Sequence, residues 1–330
     1  MSRLSRRSFL SLAAVAGAAA CSAPEPASSG GGGPAPAGFP LTVDNAQRTL
    51  TFERPPERVV SLYPSMTELL IALGAGDRIV GQAGTSYSRP LEEYRARFDA
   101  IPVLSESEAA TEPLLGVRPD LVVSDQEYHF DGKRLPRRDD LAAKRIQVYI
   151  NQALYEPTKV AATVPDSFAD ITNLGRIFAA EAKAKELVDG FRARLSEVEG
   201  KLAAVAPVRA VLLTSYDKAI YAHAGGLYGD VLRRAGAKNL TEQSEIPPGN
   251  YYGQLSTELI ARKNPDVVVY VFRDDQNRAS TETELRQALG ATAAGQANRF
   301  VPIAEASFGG GLRSAPAVAS LAKALHPGAV

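Results

Sequence analysis

The 330-residue sequence has no tryptophan, one cysteine and three histidines. A lone thiol, Cys21, excludes both a disulfide framework and a thiolate metal site. Three scattered histidines, His129, His223 and His326, are too few for a manganese or zinc site built from several imidazoles and carboxylates. Charge of neither sign is in excess, with 37 basic residues against 37 acidic ones. A nucleic-acid binder is expected to be clearly basic, so that class is set aside. The nucleophile-elbow G-x-S-x-G, the zinc-helix HExxH and the Walker loop are all missing. No pair of titratable residues suggests catalysis, and an enzyme is not expected. His326, in "ALHPGA", sits where an imidazole would favour the C-terminal end of a helix.

Long apolar runs are missing too. The run over residues 9–20 falls short of the roughly 20 apolar residues that cross a bilayer. Arg3, Arg6 and Arg7 precede it, and Ala18, Ala19 and Ala20 follow as small residues. That order predicts a signal peptide over residues 1–20. "SRRSFL" looks like a twin-arginine export signal with Arg6 and Arg7 as its pair, an ordinary secretory signal being the alternative. Ala18-Ala19-Ala20-Cys21 resembles a bacterial lipoprotein box, in which the Cys21 thiol is acylated. Residues 21–40 are rich in Pro, Gly, Ser and Ala and predict a flexible linker with a reach of about 25 Å. The expected location is the outer face of the cell membrane, with lipid as the only membrane contact. Losing Arg3, Arg6 and Arg7 with the signal leaves 34 basic and 37 acidic residues, a net charge of −3.

What is there in quantity is alternation. "RVVSLY" at Arg58 is a short apolar strand, and Ser65 with Glu68 three residues on reads as a capping box opening a helix. Further strands are expected at "RIVGQ", "IPVL", "DLVVS" and "IQVYI", each followed by helical sequence. Leu187, Phe191, Leu195, Val198 and Leu202 then recur at helical spacing, predicting one long helix over 180–204, about 38 Å in length. Strands resume at "RAVLLTS", "DVVVYVF" and "FVPIA". "EPLLGVRPDLVVS" from Glu112 and "ELIARKNPDVVVY" from Glu258 echo one another. The fold expected is α/β: an N-terminal lobe over 41–179, the interlobe helix, and a C-terminal lobe over 205–330. Both lobes are Rossmann-like with mostly parallel sheets.

With these pieces in order, the chain resembles class III substrate-binding proteins of ABC importers, the group that carries iron-siderophores, haem and vitamin B12. The resemblance rests on "PERVVSLYPSMTELLIALGAGDRIVG", "VRPDLVVS", the interlobe helix, "LSTELIARKNPDVVV" and "LRSAPAVASLAKALHP". It implies a ligand cleft between the lobes, and as partners a permease dimer with its ATPase and a small-molecule metal chelate. A monomer with no cofactor of its own is expected.

Ligands of open α/β sheets collect beyond the carboxyl ends of the strands. That rule points to Tyr63, Tyr128, His129 and Tyr216. The resemblance adds Tyr87 and Tyr252 as aromatic contacts and Arg313 as the arginine that reaches anionic groups. It also implies Glu68 and Glu258 as one permease-docking carboxylate per lobe. A ferric siderophore is the first expectation for the ligand. Haem is the rival, with His129 as an axial candidate, and a corrinoid comes third. A tethered enzyme or sensor on the same fold is the alternative of another class.

Overall fold

The structure, a computed structural model, describes residues 37–330 apart from 156, 218 and 274. The expected signal peptide with Arg6 and Arg7, the lipidation site Cys21 and nearly all of the 21–40 linker lie outside the described residues.

The N-terminal lobe opens with a hairpin, β1 (Leu41–Asn45) and β2 (Arg48–Phe52), paired antiparallel. Its turn residues Ala46 and Gln47 both take positive φ, as a two-residue turn between twisted strands requires. Then come β3 (Val59–Ser61), α1 (Pro64–Ala72), β4 (Ile79–Ala83), α2 (Arg95–Asp99), β5 (Val103–Ser105), α3 (Thr111–Gly116), β6 (Leu121–Ser124), α4 (Arg138–Ala142) and β7 (Gln147–Ile150). The five strands β3–β7 form a parallel sheet in the order β5-β4-β3-β6-β7. Every residue of β3 and β6 is buried, which is why both read as unbroken apolar runs.

Helix α5 (Asp166–Ile177) leads into α6 (Glu181–Leu202), the interlobe helix, which spans about 33 Å. Its Ala184, Val188, Leu195 and Val198 are buried. Leu187, Phe191 and Leu202 pack half-buried beside them.

The C-terminal lobe contains β8 (Val208–Tyr216), β9 (Ala219–His223), α7 (Gly226–Arg234), β10 (Ala237–Asn239), β11 (Tyr252–Gln254), α8 (Thr257–Lys263) and β12 (Val267–Phe272). It closes with α9 (Asp275–Leu289), α10 (Ala293–Gln296), β13 (Phe300–Ala304) and α11 (Ser314–Leu325). The sheet runs β11-β9-β8-β12-β13, with β10 beside the start of β8. β10, β12 and β13 are parallel to their neighbours, while β9 and β11 are antiparallel.

Two local expectations meet different outcomes. Ser256 caps α8, its Oγ accepting from the Leu259 N–H at 3.2 Å. Ser65 does not cap α1. Pro64 already occupies the first helical position, where its fixed φ suits the helix, and Tyr63 is the N-cap. Glu68 therefore reaches no helix end and points into the protein, fully buried.

The lobes share a core beneath the cleft. One apolar cluster joins Leu69 and Leu70 of α1, Val198 of α6, Val231 of α7 and Val318 of α11. Polar clasps cross the same boundary. Ser65 Oγ and Asn151 Nδ2 both donate to the Gly309 carbonyl, at 3.2 and 3.1 Å. The Val164 N–H donates to Asp230 Oδ2 at 2.8 Å.

Candidate functional site

In both sheets the parallel strands deliver their carboxyl ends to one place. β3 runs into Tyr63, β4 into the loop carrying Ser86, Tyr87, Ser88 and Arg89, and β6 into Asp125, Tyr128 and His129. From the other lobe, β12 runs into Arg273 and β13 into Glu305. All ten of these residues line one cavity of about 410 Å³. Its position beyond the strand ends is the one expected for an open α/β sheet.

Aromatic rings form the N-lobe wall. Tyr63 and Tyr87 stack with centroids 6.1 Å apart, and Tyr128 lies 4.2 Å from the ring of His129. Tyr87 and Tyr128 are 40 % and 46 % exposed, so both rings offer surface to a ligand. Arg134 lies over the Tyr128 ring at 5.3 Å. Tyr63 is more enclosed. Burial pushes its phenol pKa up, helped by the nearby carboxyls of Asp125 and Glu305.

Charge is layered with depth. Arg89 and Arg273 are exposed, and the Arg273 guanidinium is held 5.8 Å above the Tyr216 ring. Asp125 is 6 % exposed, and loss of solvent pushes its carboxyl pKa up, with His129 pulling the other way. Glu305 is half-buried and is also pushed up by burial, against the opposing charge of Arg273. The two acids come from different lobes.

The structure thus brings together Tyr63, Tyr87, Tyr128 and His129. Tyr216 is 55 % exposed at the end of β8 and meets the cleft only through Arg273. Tyr252, 40 % exposed on the edge strand β11, is not part of the cavity lining. It begins a run of rings instead. His223 lies 5.5 Å from Tyr252, Tyr228 stacks on His223 at 4.4 Å, and Phe308 stacks on Tyr228 at 3.8 Å.

Two expectations need correction. Arg313 does not reach into the cleft. Its Nε donates to Glu68 Oε2 at 2.8 Å, its Nη2 donates to Glu68 Oε1 and to the Arg89 carbonyl, and the side chain is buried. Glu68, with no exposed surface, cannot present a carboxylate to a permease; it also accepts the Leu91 N–H at 2.7 Å. The two residues neutralise each other. Glu258, by contrast, is exposed in the first turn of α8, where its own backbone N–H and then the Ser256 hydroxyl hold its carboxyl below the usual range.

Asp125, Glu305, Arg273 and Arg89 escaped the sequence reading. Three of the four follow a strand end directly, the same signal that singled out Tyr63. As for a metal held by protein groups, no cluster of three or more His, Cys, Asp or Glu exists among the described residues. His129 Nε2 lies 3.5 Å from Asp125 Oδ1, so the atom that would meet a haem iron is turned to a carboxyl. A second hollow of about 210 Å³ lies between Leu91 and α11. It is mostly apolar, and its one charged side chain, Arg313, is already paired. No other helix changes the picture: none among the described residues is long and apolar enough to cross a membrane.

Residues 59–306 match the periplasmic binding protein family. An uncharacterized ABC transporter substrate-binding lipoprotein, YvrC of Bacillus subtilis, is 25 % identical over 70 % of this chain and 69 % of its own. The vitamin B12-binding protein of Yersinia pestis is 26 % identical over 64 % of this chain and 69 % of its own. Among solved structures, a periplasmic binding protein from Veillonella parvula superposes with a TM-score of 0.77 at 21 % identity, covering 87 % of this chain and 97 % of that one.

Proposed function

Because the chain belongs to the periplasmic binding protein family and is a class III substrate-binding component of an ABC importer, we propose that its cleft captures a siderophore-type iron chelate and hands it to the permease. One observation carries this reading. Tyrosine rings from three strand ends of one lobe face charged groups from two strand ends of the other across a single cavity. Exposed tyrosine rings suit the apolar flanks of a bulky chelate, and polar groups around them suit its periphery. Proteins of this family are transport components and not enzymes.

A corrinoid is the second reading, favoured by the likeness to a vitamin B12-binding protein. Haem has less support, because the Nε2 of the buried His129 lies only 3.5 Å from the Asp125 carboxyl.

Delivery follows from an internal correspondence. Thr111-Glu112 opens α3 and Thr257-Glu258 opens α8, and each helix is followed by Pro-Asp and a buried strand, β6 or β12. Both glutamates are exposed in a first turn. With Glu68 buried, Glu112 takes the N-lobe docking role beside Glu258. An acid on each lobe would meet basic residues of a two-fold permease, its ATPase lying beyond. We assign Cys21 as the lipid attachment that keeps the protein at the outer face of the membrane; the YvrC relative is itself described as a lipoprotein.

Tyrosine emission tests the binding reading without interference, since the sequence has no tryptophan. The full chain is titrated with ferric trihydroxamate, ferric tricatecholate, haemin and cyanocobalamin. Saturable one-to-one quenching by a ferric siderophore supports the proposal, and saturation by cyanocobalamin alone moves it to the second reading. No saturable response to any of them overturns it.

A further inference from the structure

The floor of the cleft is acidic where its rim is basic. Asp125 is 6 % exposed, and its Oδ1 is enclosed with no hydrogen-bond partner among the described residues. The nearest cationic candidate, His129 Nε2, lies 3.5 Å away, beyond ordinary hydrogen-bond range. Glu305 faces the same cavity from the other lobe, half-buried, and makes no side-chain hydrogen bond among the described residues. The Asp125 carboxyl meets His129 and nearby backbone N–H groups but keeps one enclosed oxygen unsatisfied, so both acids retain unused acceptor capacity across one cavity, which is unfavourable until a donor arrives. The two arginines do not cancel this. Arg89 and Arg273 are exposed, where water and salt screen their charge, while interactions at the enclosed floor are screened far less.

We propose that Asp125 and Glu305 form a two-lobed acceptor that selects the ligand by charge. The deep end of the cleft takes an ammonium or N–H donor on the periphery of a neutral or cationic metal chelate, and polyanionic chelates are rejected. This rests on the cleft being a chelate site. It divides the candidate ligands by chemistry. A hydroxamate chelate with a pendant ammonium, or a corrin ring bearing amide side chains, supplies the missing donors. A tricatecholate polyanion or a porphyrin with free propionates brings further negative charge to the carboxyls. Because the acids lie on different lobes, one donor-bearing ligand would also engage both walls together.

The test compares matched chelates on the full chain and on its Asp125→Asn and Glu305→Gln variants, which keep side-chain shape and remove the charge. The probes are ferric desferrioxamine B, whose chain end is an ammonium, its N-acetylated form, a ferric tricatecholate and cyanocobalamin. Circular dichroism confirms that each variant is folded. The parent is expected to bind the ammonium chelate about tenfold or more tighter than the acetylated one, and the tricatecholate most weakly. Either substitution should erase most of that preference while leaving the acetylated chelate within about threefold. If cyanocobalamin binds most tightly and both substitutions weaken it, the donors are corrin amides and the acceptor stands. Tightest binding of the tricatecholate, or a preference untouched by both substitutions, overturns the acceptor while leaving the chelate site intact. Absence of binding by every probe overturns the chelate reading and the acceptor with it.

Discussion

Arg313 and Glu68 meet as a two-point ion pair across 245 positions of sequence, tying α1 of one lobe to the start of α11. Both side chains are buried, at 7 % and 0 % exposure. Arg313 also donates to the Arg89 carbonyl, so the pair anchors the loop that carries the basic rim of the cleft. Buried pairs of this kind add little net stability over an apolar pair, but breaking one strands a charge.

Removing one partner is therefore expected to be costly. Glu68→Gln or Arg313→Met should each lower the unfolding free energy by about 3–5 kcal/mol. The double substitution Glu68→Gln with Arg313→Met should cost less than the two singles together. Urea denaturation checks this, and additive losses would show that the two residues act independently.

His223 makes acid a specific stress. It is buried among aromatic rings, its Nε2 paired with Thr214 Oγ1 at 2.7 Å, and desolvation pulls its pKa from 6.5 down to about 3. Between those values the unfolded chain binds a proton that the folded protein excludes, so stability is full above pH 6.5 and falls as pH drops toward 3. The loss from this residue is on the order of 3 kcal/mol between pH 7 and pH 4. His223→Gln should flatten the fall in melting temperature over that range. An unchanged slope would place the acid sensitivity elsewhere.

Asp170 acts in the opposite direction. Burial pushes its carboxyl up to about 7, while it accepts from Tyr149 Oη at 2.8 Å and from the Gln152 N–H at 3.0 Å. The unfolded chain loses this proton near pH 4 and the folded protein near pH 7, so its contribution is complete below pH 4 and lost as pH rises to 7. Asp170→Asn should accordingly gain stability over the parent as pH rises through that window. Parallel pH profiles for the two proteins would contradict the raised pKa.

Docking predicts a different pattern. Glu112→Gln with Glu258→Gln should leave chelate affinity and melting temperature nearly unchanged. Uptake into cells should slow, and association with the permease should weaken further as salt rises. Normal uptake by the double variant would reduce both residues to solvated helix-end acids.

The strand ends are readable in the sequence because parallel strands announce themselves as short apolar runs, and the segments that follow β3, β4, β6, β12 and β13 reach the cleft. Tyr63, Tyr128 and His129 were found that way. Glu305 and Arg273 obey the same rule but are charged, and a charge after a strand looks like ordinary solvated surface. For Arg313 and Glu68 the resemblance implies a cleft arginine and a docking carboxylate, whereas the structure buries them against each other. Their pairing depends on how the lobes fold together, which no local pattern carries. The hairpin β1–β2 was missed for its shortness, although LTVDN alternates buried and exposed positions as a strand should.

The central claim is that the cavity between the lobes holds the metal chelate. Anomalous X-ray diffraction from crystals of the loaded protein, collected at the iron or cobalt edge, locates the metal directly. The account predicts a single metal peak in the cleft, between the Tyr63, Tyr87 and Tyr128 wall and Glu305 of the facing lobe. A peak in the apolar hollow beside α11, on the outer surface, or on side chains with no chelate around it would contradict it.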